Sequence, residues 1–150
     1  MDYSLVKQAL ANAVKAAEIP NLEAYAYLPD NPELPCFYAG QVSIKSNNAM
    51  GLLLPGGWDL ATVTCGIFVS AADDLDGQRK LDQLISRSGP YSIREALYVH
   101  GRGADGDPAL GGLCDDIVVD SIDGYSEISY TDNRVYYGAN ITVRLIGSGD

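Results

Sequence analysis

The sequence is poor in the residues that usually announce chemistry. Its 150 residues include one histidine, His100, and three cysteines, Cys36, Cys65 and Cys114. An odd, widely spaced cysteine set with no C-x-x-C pair argues against a disulfide framework and a zinc site. Cys65 alternates with Val63 and Ile67, so it reads as a small core residue. His100 stands next to Gly101 at the end of a short predicted helix, where a cation suits the helix dipole without a catalytic role. No G-x-S-x-G is present. The glycine stretch GRGADGDPALGG, 101–112, lacks the lysine and Ser/Thr of a phosphate loop and is predicted to be a mobile connector. No apolar run approaches the ~20 residues of a membrane-spanning helix. The opening MDYSLVKQAL has no basic region followed by an apolar core, so a chain without a secretory signal, folding in a cytoplasm, is expected.

Bases are scarce as well. Ten Lys and Arg face twenty Asp and Glu, a net charge of −10. Arg79-Lys80 is the longest basic run. Such a surface repels phosphate backbones, so no specific grip on nucleic acid is expected. The acids do not form a recognisable metal loop. Asp73, Asp74 and Asp76 precede Gly77, but an EF-hand would need an acid where Ala72 stands and a glutamate where Gln83 stands. They are predicted to open a helix. Asp115, Asp116, Asp120 and Asp123 accompany a predicted strand. They are expected to form a solvated face, with a hard-cation site as the alternative.

What is present is periodicity. DYSLVKQALANAVKAAE carries Val6, Leu10, Ala13, Val14 and Ala17 at helical spacing, with Asp2 or Ser4 as cap and Pro20 as stop. Residues 23–27 and 37–44 read as strands on either side of Pro29, Pro32 and Pro35. WDLATVTCGIFVSA, 58–71, puts Val63, Cys65, Ile67 and Val69 on one face. DDLDGQRKLDQLISRSG is a helix with Leu75, Leu81, Leu84 and Ile85 on one stripe. Ser92-Ile93-Arg94-Glu95 has the pattern of a capping box and opens a short helix. CDDIVVDSI, SEISY and RVYYGANITVRLI read as three further strands. In the last, Val135, Tyr137, Ala139, Ile141, Val143 and Leu145 recur with the period of a half-buried strand. The predicted order is α β β β α α β β β. It describes one domain over residues 1–150, an α+β fold whose mixed, mostly antiparallel sheet has helices packed on one side.

With no convergent polar cluster in view, function is expected to lie in surfaces that meet other proteins. The loop SNNAMGLLLPGG, 46–57, is bounded by turn residues yet apolar in its middle. Met50, Leu52, Leu53 and Leu54, with Trp58 at its exit, are the expected protein interface.

Taken in order, several pieces resemble the tail terminator proteins of long-tailed, non-contractile (siphovirus-type) bacteriophages. They are LVKQALANAV, YAYLPDNPELP, TVTCGIFVSA, DDLDGQRKLDQLI, SIREALYV and the closing SEISYTDNRVYYGANITVRL. The resemblance implies an α+β virion structural protein without cofactor or reaction, assembled in the host cytoplasm and located in the tail and neck. It implies a ring, commonly of six subunits, that caps the tail tube protein, stops its growth and meets the head–tail connector or stopper protein. In such a ring Asp115, Asp116, Asp120 and Asp123 are the first candidates for a channel wall that lets the genome slide. Other neck or tail-completion proteins are the nearest alternative. A small enzyme or ligand-binding domain with a site at Asp115, Asp116, Asp120 or His100 is the alternative from another class.

Overall fold

Asp2 starts the first helix. Its carboxylate accepts the backbone N–H groups of Ser4 at 3.0 Å and Leu5 at 3.3 Å, two of the donors that a helix start leaves free. The computed structural model describes residues 2–30, 33–46, 58–70, 74–102, 109–114, 116–129 and 135–148. Helix α1 spans Tyr3–Ala16 and carries Lys15 in its last turn, where the helix dipole favours a cation. Glu18 and Asn21 then adopt positive φ angles of 53° and 62° and turn the chain away on either side of Pro20.

Five strands follow, β1 (Glu23–Tyr25), β2 (Cys36–Ser46), β3 (Trp58–Ser70), β4 (Asp116–Ser129) and β5 (Val135–Ser148). They form one sheet in the order β1-β2-β3-β5-β4. β1 runs parallel to β2, and every other pairing is antiparallel. Helices α2 (Asp74–Ile85) and α3 (Ile93–Gly101) lie in the chain between β3 and β4. The architecture is the expected α+β domain with a mixed sheet. The two strands expected from CDDIVVDSI and SEISY are one, β4, which runs from Asp116 to Ser129. Register shifts between Val119 and Ser121 and between Asp123 and Ser126 interrupt the alternation without ending the pairing, as bulges do.

The core sits between the sheet and helices α1, α2 and α3. Val63, Cys65, Ile67 and Val69 of β3 and Ile141, Val143 and Leu145 of β5 are all buried. Cys65 stands opposite Ile141 and Val63 opposite Val143. Val6 and Leu10 of α1, Leu81 and Leu84 of α2, and Ile93 and Leu97 of α3 belong to the same cluster, with Tyr137 and Ile85 at its margin. Of Val135, also expected in this face, only the backbone is described.

Ser92 opens α3 as expected, accepting the Glu95 N–H at 3.1 Å. The return half of the capping box is redirected, because the Glu95 carboxylate accepts the Gly89 N–H at 2.6 Å. The Ser92 hydroxyl donates to the Ser86 carbonyl, also at 2.6 Å. These bonds fasten the exit of α2 to the start of α3.

The helix-free face differs between its two ends. At one end Cys36, Phe68 and Tyr136 are buried together, with Tyr25, Leu34 and Tyr38 packed on them. The proline-rich connection thus returns over this end of the sheet, where the Tyr25 hydroxyl accepts the Glu33 N–H at 3.2 Å. The Tyr38 ring crosses the sheet over Gly66, in space that a Cβ would occupy. Towards the other end lie Thr64, Thr142, Thr62 and Arg144, half-buried, and Asn140, exposed. Gly40, in the irregular stretch between Ala39 and Val42 of β2, is needed for a related reason, since a Cβ there would strike the Thr64 carbonyl oxygen.

The second half of GRGADGDPALGG departs from the mobile connector expected there. Leu110–Gly112 form a short 3-10 turn, and Ala109 bridges to Cys114. Ala109 and Leu110 are buried in the core. Composition alone suggested flexibility, but Ala109 and Leu110 supply apolar surface that packs under α1 and α3. Residues 103–108 are outside the described residues.

Candidate functional site

Strand β4 carries most of the described candidates. It ends the sheet next to β5, so one of its edges faces away from the other strands. Asp116, Asp120 and Asp123 all lie on it, whereas Asp115 is outside the described residues.

Asp116 is engaged twice. Its carboxylate accepts the Arg102 Nε–H at 2.9 Å and a terminal guanidinium N–H at 3.2 Å, the forked geometry that suits an arginine–carboxylate pair. The same Oδ1 accepts the Ile117 N–H at 2.9 Å. Beside it the Tyr98 hydroxyl accepts the Val119 N–H at 3.0 Å. Arg94 and Arg102 lie against the Tyr98 ring, 5.7 Å and 5.5 Å from its centroid, within cation–π range. Tyr98, Arg102 and Asp116 thus make a clasp that occupies two outward N–H groups of an edge strand. Edge strands are blunted this way when their free amides would otherwise recruit another strand.

Asp120 falls at the register shift and approaches Arg144 at 3.7 Å. Both side chains are substantially exposed, so the pair contributes little to stability. The Arg144 Nε is buried without a hydrogen-bond partner. Asp123 is exposed on the strand, opposite Asn140. The structure therefore does not bring the acids together. Two are matched to separate arginines, and among the described residues no three His, Cys, Asp or Glu side chains are grouped to hold a metal.

No protein-family model and no curated protein matches this chain.

His100 is exposed in the last turn of α3. Burial pushes the Cys36 and Cys65 thiols from about 9 up to about 12. A hydrogen bond with the Phe68 backbone opposes this at Cys36, and one with Gly40, with the Lys7 charge, opposes it at Cys65. Thiols so shifted stay protonated near neutral pH and are poor nucleophiles. A cleft of ≈ 220 Å³ opens beside Ile19, Pro35, Leu84 and Tyr91, and among the described residues Lys80 is the charged one that lines it. No described helix is long and apolar enough to cross a membrane.

Of the expected interface, Met50, Leu52, Leu53 and Leu54 lie outside the described residues. Trp58 opens β3 opposite Ser148, and its backbone alone is described. Sequence reasoning missed the Tyr98–Arg102–Asp116 clasp. Arg102 read as part of a flexible glycine stretch, and nothing in the spacing of Tyr98 and Val119 signals a bond across 21 residues.

Proposed function

We propose that this chain is the repeating subunit of a ring that caps a phage tail tube, ends its growth and presents its other face to the head–tail connector. One observation carries the reading. Helices α1, α2 and α3 pack on one face of the sheet, and much of the other face is polar and partly exposed, with Thr62, Thr64, Asn140, Thr142 and Arg144 across it. A sheet of this kind suits a wall, with one side anchored in a core and the other facing a water-filled passage. The order and spacing of elements that resemble tail terminators support the same reading.

The wall acids take a more limited role than the net charge of −10 suggests. Asp116 is matched by Arg102 and Asp120 by Arg144, so of the β4 acids whose side chains are described Asp123 is the one in excess. A nearly balanced wall with a small acid surplus offers few cations to phosphates, and each cation contact adds salt-dependent affinity that would slow a sliding duplex. The test is direct. The purified protein is sized by light scattering and added to polymerising tail tube protein. A ring-sized particle that shortens tubes and binds no duplex DNA at low salt supports the reading. A monomer that leaves tube length unchanged refutes it.

A further inference from the structure

We infer that neighbouring copies join edge to edge, the open stretch of β4 on one copy pairing antiparallel with the open stretch of β2 on the next. The inference rests on the ring reading for the presence of neighbours, but its geometry comes from the sheet itself. The two outer edges are each closed over one part only. β1 covers the outer edge of β2 at Cys36, Phe37 and Tyr38, and among the described residues no strand covers the outer edge of 39–46. The clasp occupies the outward N–H groups of Ile117 and Val119 on β4, and 120–129 lie beyond it. The open stretches are thus similar in length, eight residues against ten.

Direction fits too. β2, β3, β5 and β4 alternate in sense across the sheet. The next strand in the alternation is antiparallel to β4, and a second copy placed by simple repetition offers β2 in that sense. The contact is head-to-tail, so it propagates until it closes. In sequence, the open stretch of β4 holds Asp120, Asp123 and Glu127 without a base, and that of β2 holds Lys45 without an acid.

The open stretches are not level with each other. On β3 as a ruler, 120–129 of β4 lies beside the rows from Thr64 to Ser70 and past them, whereas 39–46 of β2 lies beside the rows from Cys65 back to Asp59. Pairing them shifts each copy along the strands by about five residues, ~17 Å, for every four strands, ~19 Å, crossed. That slope tilts the strands by ~40° to the ring axis, inside the range of about 35–45° that closed barrels require. Crossovers between parallel strands of one sheet are right-handed. With that hand for the β3 to β4 connection, the shift tilts the strands in the right-handed sense of barrels, provided the helices are outside. The helix-free face then lines the passage.

Engineered disulfides test the pairing. Ser43→Cys and Asp123→Cys introduce thiols at exposed positions, one in each open stretch, and Cys36, Cys65 and Cys114 are buried. Folding of each variant is checked by circular dichroism, and diamide is the oxidant. A mixture of the two single variants should give a covalent dimer in high yield, and the double variant a ladder ending at the ring. Asp123→Cys alone should stay monomeric on a denaturing gel. Self-linking of Asp123→Cys above the mixed yield, or no mixed product from variants that still assemble, overturns the edge pairing and leaves the ring intact. A wild-type protein that stays monomeric at every concentration overturns both.

Discussion

Replacing Gly66 by alanine isolates one contact that the fold needs. The ring of Tyr38 lies where the new Cβ would go, so the ring must swing off the sheet. Tyr38 packs on Phe68 with centroids 5.3 Å apart, and Phe68 packs in turn on Tyr136 at 5.9 Å. Losing the first pair costs about 0.5–1.5 kcal/mol beyond area. Forcing a methyl into a packed site typically costs ~1–3 kcal/mol in all, which is the expected loss for Gly66→Ala. In a Tyr38→Ala background the obstacle is gone. There the same substitution should be neutral or stabilising by up to ~1 kcal/mol, since alanine restricts the unfolded chain. Urea unfolding of the four proteins, followed by circular dichroism, gives the coupling between the sites. An equal penalty for Gly66→Ala in both backgrounds would refute the placement of Tyr38 over Gly66.

Four further outcomes are expected. Ile141→Ala, fully buried opposite Cys65, should cost ~2–5 kcal/mol, whereas a loss below ~0.5 kcal/mol in urea unfolding would put the residue on the surface. Cys36 and Cys65 hold their protons to about pH 12, against about 9 for free thiols; they should resist iodoacetamide at pH 8 until urea unfolds the chain, and their contribution to stability, full below about pH 9, should fall as pH rises towards 12. Leu53→Asp, in the apolar stretch between β2 and β3, should abolish assembly and leave the unfolding transition unchanged; an unfolded variant would assign the leucines to the domain itself. Because each copy brings −10, rings should form better at moderate than at very low salt, and sizing that shows steady dissociation with added salt would make ion pairs the main attraction.

Local periodicity made the helices and the inner sheet face legible. Val63 to Val69 and Ile141 to Leu145 keep strict alternation, and α1 keeps its stripe and its Asp2 cap, so short-range pattern and burial agree. The outer face was harder to read. Tyr136 alternates with core residues and so reads as exposed, yet it is 2% exposed because Phe68, Tyr38 and Leu34 close over it. Phe68 and Tyr38 come from neighbouring strands and Leu34 from the proline-rich connection, contacts between distant segments that no window reveals. The bulges of β4 broke the alternation at Asp120 and past Asp123, which made one strand read as two. Of the candidate site, the acids of β4 were visible as a cluster in sequence. Their pairing with Arg102 and Arg144 was not, since it depends on which elements the fold sets side by side.

Cryo-electron microscopy of the purified protein, alone and on the ends of tail tubes, tests the central claim most directly. A closed ring is expected at the tube end, with α1, α2 and α3 on the outside and Thr62, Asp123, Asn140 and Thr142 facing the passage. A ring whose passage is lined by the helices or by lysine and arginine, or tube ends that stay bare, would contradict it.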